Sequence, residues 1–328
     1  MSAPGASMGP QTQHYTIPNF KFDNGDTLPE VKLAYQIINP QNKKVAVVNT
    51  CFKGRLNTTL THSQGAFKDH KIILIALLGN GESTSPSNTQ NFPKTLEYMD
   101  CVRAEYKLLK EELQIESVDA MLGFSMGGQI TYHWITMQVL PGYPDFVRKA
   151  VIVCSSAQTS RHNFQFLEGP RAALENAKDE ESGKYAFGKA YSAWLTSAEW
   201  FDEELYRDMG AQSLAAWDKN VMDGYNDWSG KDLLAMLGMW QRGDIARCVP
   251  EAKGDLGKAL QTIQAQVLLM PCKTDQYFRP YVNEREKEKL SNAIVAVVPS
   301  IWGHIVGGDA DKDATRWMDD KIQTFLRN

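Results

Sequence analysis

The stretch "MLGFSMGGQI", Met121–Ile130, decides how the rest of the chain is read. It crowds Gly123, Gly127 and Gly128 around one serine, Ser125. Glycine is needed where backbone must pass close to another group or take a positive φ. The pattern is Gly-x-Ser-x-Gly, from Gly123 to Gly127. An apolar run, "SVDAMLGF", precedes it, and a helix-like segment, "MGGQITYHWITMQ", follows. Strand, sharp turn and helix form the setting in which a serine is presented as a nucleophile. A mere tight turn ahead of a helix is the duller reading, and the flanking strand and helix argue against it.

Outward from this point, apolar runs of strand length recur: "VKLAYQI" (31–37), "KVAVVNT" (44–50), "IILIALL" (72–78), "VDAMLGF" (118–124), "AVIVCS" (150–155), "AQVLLMP" (265–271) and "AIVAVVP" (293–299). The later ones are nearly continuous in apolar character, as expected for strands covered on both faces of a parallel sheet. Helix-like segments separate them, the clearest over 92–115, so the expected architecture is a mostly parallel, doubly wound α/β sheet. The two earliest runs lie close together and predict an antiparallel start to the sheet. Between about Arg161 and Thr262 the strand signal stops. That stretch is rich in aromatics, with Trp194, Trp200, Trp217, Trp228 and Trp240. It reads as a helical lid inserted at 161–262 into a core formed by 14–160 and 263–328. Residues 1–13, small and polar, read as a disordered leader without the features of a secretory signal.

Composition narrows the function. The 328 residues are 43% hydrophobic, enough for a sizeable core, and the net charge is −4. No basic block tracks phosphates, so nucleic acid is not an expected partner. No apolar run reaches the roughly 20 residues that span a bilayer. The five cysteines, Cys51, Cys101, Cys154, Cys248 and Cys272, are odd in number and widely spaced. They read as free thiols of a reducing, cytoplasmic compartment. No Cys or His spacing suggests a metal site, and no bound cofactor is expected.

In an open α/β sheet the chemistry sits at the carboxyl ends of the strands. Three residues fit that rule. Ser125 follows "VDAMLGF", Asp275 follows "QVLLMP" in the loop "CKTDQYFRP", and His304 follows "AIVAVVP" in "SIWGHIVGG". The order Ser, Asp, His is that of an α/β-hydrolase fold. His304 is the only histidine after Asp275. A serine hydroxyl needs a base to take its proton, an imidazole can do so near neutral pH, and a carboxylate fixes the imidazole tautomer. The acyl oxygen needs two N–H donors. Met126 would supply one, and Phe52, in the loop "NTCFKGRLN", the other. Asp275 alone would also suit a turn or a helix cap. His133 and Cys51 are read as structural.

With these blocks in place, the chain resembles the homoserine O-acetyltransferase family, a branch of the α/β-hydrolase superfamily. "FKFDNGDTLPEVKLAYQIIN", "LLGNGESTSPSN", "DCVRAEYKLLKEELQI", "GFSMGGQITYHWI" and "NFQFLEGPRAALE" resemble family segments in the right order. The resemblance implies that Ser125, Asp275 and His304 form a triad. It also implies that Arg171 stands at the substrate entrance, with Asn163 in the same substrate-binding segment. A guanidinium there would suit a carboxylate or a CoA phosphate. A homodimer through lid helices is a further implication. One departure stands out: the family carries an aspartate after the catalytic histidine, which helps hold the ammonium of homoserine. Here that position is Ile305. An isoleucine cannot pair with an ammonium ion, so an acceptor other than homoserine is expected. Glu82 and Ser85 also depart from the family's loop.

The expected function is therefore serine-based acyl transfer from a small acyl donor, with acyl-CoA as a candidate substrate, to an alcohol. The alternative is transfer to water, making an ester or thioester hydrolase. A non-catalytic ligand-binding scaffold would be expected to have lost a member of the triad.

Overall fold

The computed structural model describes residues 10–140, 142–143 and 145–328. Eight strands make one sheet: β1 (Gln13–Lys21), β2 (Thr27–Ile38), β3 (Lys44–Asn49), β4 (His70–Ile75), β5 (Ala120–Phe124), β6 (Lys149–Val153), β7 (Gln266–Met270) and β8 (Ala293–Val295). Their spatial order is β1-β2-β4-β3-β5-β6-β7-β8. The pairs β1–β2 and β2–β4 are antiparallel and every later pair is parallel. The central strands are apolar throughout because both faces are covered. One face carries Val47, Ile73, Met121 and Ile152 into a core shared with the lid, and the other carries Val48, Leu74, Leu122 and Val151. Helices α1 (Tyr98–Lys107) and α2 (Met126–Met137) pack on the first face.

Between β6 and β7 the chain forms α3 (Arg161–Glu175), α4 (Glu180–Tyr191), α5 (Ala198–Asp202), α6 (Leu214–Asp223), α7 (Gly230–Arg242) and α8 (Leu256–Thr262). Each starts at a residue whose side chain accepts a backbone N–H of the first turn: Ser160, Asp179, Ser197, Ser213, Ser229 and Asp255. Such caps contribute about 1 kcal/mol apiece. After β7 come α9 (Pro280–Lys287) and α10 (Lys312–Arg327). The last buries Ala314, Met318, Ile322 and Phe325, a helical stripe, against the second face of the sheet.

The architecture departs from the sequence reading in three places. The two earliest apolar runs, β2 and β3, do not pair with each other. β4 lies between them, antiparallel to β2 (Tyr35 opposite Ile75) and parallel to β3 (Asn49 opposite Ile75). The long 50–69 connection makes that parallel return possible. The run 92–115 is helical only from Tyr98, where Glu97 and Asp100 cap each other's backbone, and it closes in a π-helical turn over Leu108–Glu112. Finally, the leader boundary at 13 is too late. Gln13 pairs with Tyr35, and Thr12 accepts a hydrogen bond from the Gln36 amide. Residues 1–9 of that leader lie outside the described residues.

Candidate active site

Ser125 sits at the turn between β5 and α2 with φ 57° and ψ −123°. A non-glycine residue at positive φ is strained, and several contacts hold it there. The Ser125 N–H donates to Val153 O (3.0 Å), while its carbonyl accepts from Gly128 N, Gln129 N and the Ser155 hydroxyl (2.7 Å). The surrounding glycines follow from the same crowding. A Cβ at Gly123 would lie 1.8 Å from Gly127 O, one at Gly127 2.8 Å from Asn49 O, and one at Gly128 2.5 Å from Ser155 Cβ. The turn can therefore be this sharp only with no side chain at these three positions.

The structure brings Ser125, His304 and Asp275 together, from the ends of three different strands. The Ser125 Oγ is 2.9 Å from His304 Nε2, and His304 Nδ1 is 2.7 Å from Asp275 Oδ2. All three are buried. Asp275 Oδ1 accepts the N–H groups of Tyr277 (2.7 Å) and Phe278 (3.2 Å). That leaves Oδ2 to accept from Nδ1–H, which places the Nε2 lone pair toward the serine. The imidazole is held among Tyr277, Phe124 and Phe278, with ring centroids 4.4, 4.7 and 5.7 Å away. Two glycines allow the histidine loop to come this close: Gly303, at φ +60° against Thr196, and Gly307, whose added Cβ would fall 2.1 Å from the Phe124 ring.

Met126 and Phe52 both lie beside the serine, Met126 next in sequence and Phe52 in the cavity wall. Neither backbone N–H has a protein acceptor among the described residues. The loop carrying Phe52 is clamped from below. The Leu56 N–H donates to the Glu82 carboxylate (3.0 Å), and the Arg55 guanidinium bonds Asn80 O while stacking on Trp228 at 3.7 Å. Glu82, singled out in the sequence as a departure, acts on this loop and does not line the cavity.

The serine opens on a cavity of about 430 Å³. Its walls are mainly apolar: Phe124, Tyr191, Leu195, Trp217, Tyr225 and Ile305. Ile305 stands beside His304, held by an N–H bond to Leu195 O (3.2 Å). Burial pushes the Tyr191 and Tyr225 phenols well up, so both stay neutral. Cys51 also faces the cavity, but burial pushes its thiol up to about 12, far from a nucleophilic thiolate.

Two residues implied as substrate-binding are elsewhere. Arg171 donates to the side-chain amide oxygen of Gln241, whose amide NH2 in turn donates to Glu168 (2.6 Å), a network that ties α3 to α7. Asn163 is buried in the first turn of α3, its N–H donating to Ser160 Oγ. Neither lines the cavity at Ser125. Both sit on one helix whose inner face packs against the rest of the lid. His133 donates its Nδ1–H to Gln129 O (2.7 Å) and stacks on Tyr98. Burial holds it down at about 4, so it is neutral. Among the described residues one trio of metal-type side chains converges, Cys154, Asp275 and His304. Two of the three are already hydrogen-bonded to each other and burial pushes the Cys154 thiol well up, a poor start for a thiolate ligand.

Sheet order, serine turn and hydrogen-bonded trio define a class. The chain belongs to the alpha/beta hydrolase fold family, whose sequence pattern matches residues 55–309. Within it, the chain is 30% identical over 308 residues to the ethyl acetate hydrolase of Pseudomonas veronii, covering 86% of each protein. It is similar in structure to the acetyl esterase MekB, with TM-score 0.88, 26% identity and coverage of 97% of each chain. At lower identity, 23% over 329 residues, it matches a homoserine O-acetyltransferase of Methanococcoides burtonii, covering 85% of this chain and 66% of that protein. Among the described residues no helix is long and apolar enough to cross a membrane.

Proposed function

We propose that this enzyme of the α/β-hydrolase type is a carboxylester hydrolase acting on small esters through an acyl-enzyme at Ser125. The Ser125 Oγ attacks the ester carbonyl carbon as His304 Nε2 takes its proton. Asp275 holds the imidazole and stabilises its charged form. The oxygen of the tetrahedral intermediate accepts the N–H groups of Met126 and Phe52. Collapse breaks the bond to the alcohol, which leaves with the proton from Nε2. Water then attacks the acyl-serine, again deprotonated by His304, and the acid and free Ser125 are released.

The observation that carries this reading is the Ser125–His304–Asp275 hydrogen-bonded chain opening on an apolar cavity with Ile305 beside the histidine. Ile305 and the apolar wall around it offer no partner for the ammonium of an amino-acid acceptor, and a site built for such a group would hold its partner. Similarity to an ethyl acetate hydrolase and to an acetyl esterase supports hydrolysis further. Transfer to an apolar alcohol is the second reading, supported by the similarity to a homoserine O-acetyltransferase. The deciding experiment follows acid release from ethyl acetate, and CoA release from acetyl-CoA, each with and without added homoserine and simple alcohols. Ester hydrolysis independent of acceptor, absent in Ser125→Ala, is expected. Acetyl-CoA turnover that requires an alcohol would favour the transferase.

A further inference from the structure

We infer that Lys53 recognises a carboxylate carried by the ester substrate, an inference that rests on the hydrolase reading above. Lys53 lines the same cavity as Ser125 and His304 and directly follows Phe52. Among the described residues, no aspartate or glutamate lines that cavity. The ammonium lies 4.6 Å from the centre of the Tyr225 ring and against Gly224, where an added Cβ would be 2.6 Å from Nζ. Gly224 caps the carboxyl end of α6. The charge therefore faces a π-surface and a helix end, both partial compensation, but no anion among the described residues. Burial accordingly lowers the pKa of the amine.

The backbone adds a second observation. Lys53 has φ 59°, a conformation that glycine or asparagine would adopt with less strain. Local geometry therefore gives no reason for a long cationic side chain here, whereas a ligand does. Lys53 and Ser125 line one cavity of about 430 Å³, so a small substrate with its scissile carbonyl at Ser125 can carry a carboxylate to the ammonium. The remaining wall, Phe124, Leu195, Val221 and Ile305, would receive the methylene chain between them. Such a substrate is a half-ester of a short dicarboxylic acid, or an acyl ester of a short hydroxy acid.

The competing account makes Lys53 only a latch, holding the Phe52 loop to the end of α6. Two isosteric pairs separate the accounts: 4-acetoxybutanoate against pentyl acetate, and monoethyl succinate against ethyl pentanoate. For the wild type, one anion should exceed its neutral partner in kcat/KM by about tenfold or more. The identity of that pair tells which side of the ester carries the charge. In Lys53→Met the ratio should fall toward one, and Lys53→Arg should keep most of it. A wild type that prefers both neutral esters, or a Lys53→Met variant that slows both members of a pair equally, would overturn the inference. Calorimetric binding of 4-acetoxybutanoate and of monoethyl succinate to Ser125→Ala, with and without Lys53→Met, gives a readout independent of turnover. If no ester is hydrolysed, the hydrolase reading fails, yet about tenfold weaker anion binding without Lys53 still supports its role. Equal binding refutes it. Melting temperatures of each variant check that the fold is kept.

Discussion

Asp275→Asn probes the logic of the site with almost no change of shape. The Tyr277 and Phe278 N–H groups both point at Oδ1, so the asparagine carbonyl oxygen must stay there. Its NH2 then faces His304 Nδ1, 2.7 Å away in the native chain, and donates to it. Nδ1 becomes the acceptor, the imidazole proton moves to Nε2, and the lone pair that should take the Ser125 proton is gone. The charged imidazolium also loses its carboxylate. Together these effects should lower kcat about a thousand- to ten-thousand-fold, or roughly 4–5 kcal/mol of transition-state stabilisation. The substrate cavity is untouched, so KM should move little. Initial rates on 4-nitrophenyl acetate across pH 6–10, with melting curves for both proteins, provide the assay. A loss of less than tenfold would refute the tautomer argument. So would a large loss accompanied by unfolding, which would make Asp275 a structural residue.

Three further outcomes follow from the same contacts. Glu105 is fully buried beneath α2, where its carboxylate accepts the Trp134 indole N–H (2.6 Å), and burial pushes its pKa from near 4.5 up to about 8. A raised carboxyl pKa means the folded state binds the proton more tightly, so its contribution to stability is complete below pH 4.5 and is lost as pH rises through 8. Chemical denaturation of Glu105→Gln against the wild type between pH 5 and 9 should show the variant gaining on the wild type toward high pH, by as much as a few kcal/mol. Parallel curves would contradict that assignment. Gly307→Ala forces a methyl group into the Phe124 ring that flanks His304, and should lower kcat at least tenfold with a lower melting temperature. Unchanged kinetics would show that the loop relaxes freely. Glu82→Ala removes the acceptor of the Leu56 N–H, and should lower kcat more than it raises KM, because the Phe52 N–H matters most in the transition state. An effect confined to KM would place Glu82 in substrate binding instead.

The site was legible in the sequence where covalent geometry leaves few choices. Gly123, Gly127 and Gly128 are demanded by contacts too close for any side chain, so they mark the serine turn. Ser125, Asp275 and His304 are all at strand ends because a parallel sheet collects them there. The sequence marks the lid only as one helical stretch, and its separate helix starts at Ser and Asp caps emerge from the structure. What escaped was set by tertiary contacts. β1 buries only Ile17 and Phe20 of its nine residues and contains Pro18, so it carries little strand pattern and is held by its pairing with β2. The insertion of β4 between β2 and β3 depends on a crossover that no local pattern records. Arg171 looked like a substrate contact because of where its segment falls in the family, but its guanidinium is engaged by Gln241. Lys53 belongs to no motif, and its place in the cavity wall emerges only from the structure.

The central claim is that Ser125 becomes acylated and then yields the acyl group to water. The most direct test mixes the protein with 4-nitrophenyl acetate, quenches it within the first turnover, and maps the acetyl group by peptide mass spectrometry. Besides Ser125, the cavity wall holds other side chains that could carry it, among them Cys51 and Lys53. The account predicts acetyl on the peptide containing Ser125, decaying to free acetate at the steady-state rate. Turnover-competent acetyl on Cys51 or Lys53 in place of Ser125, or product release with no acylated peptide at any time, would contradict it.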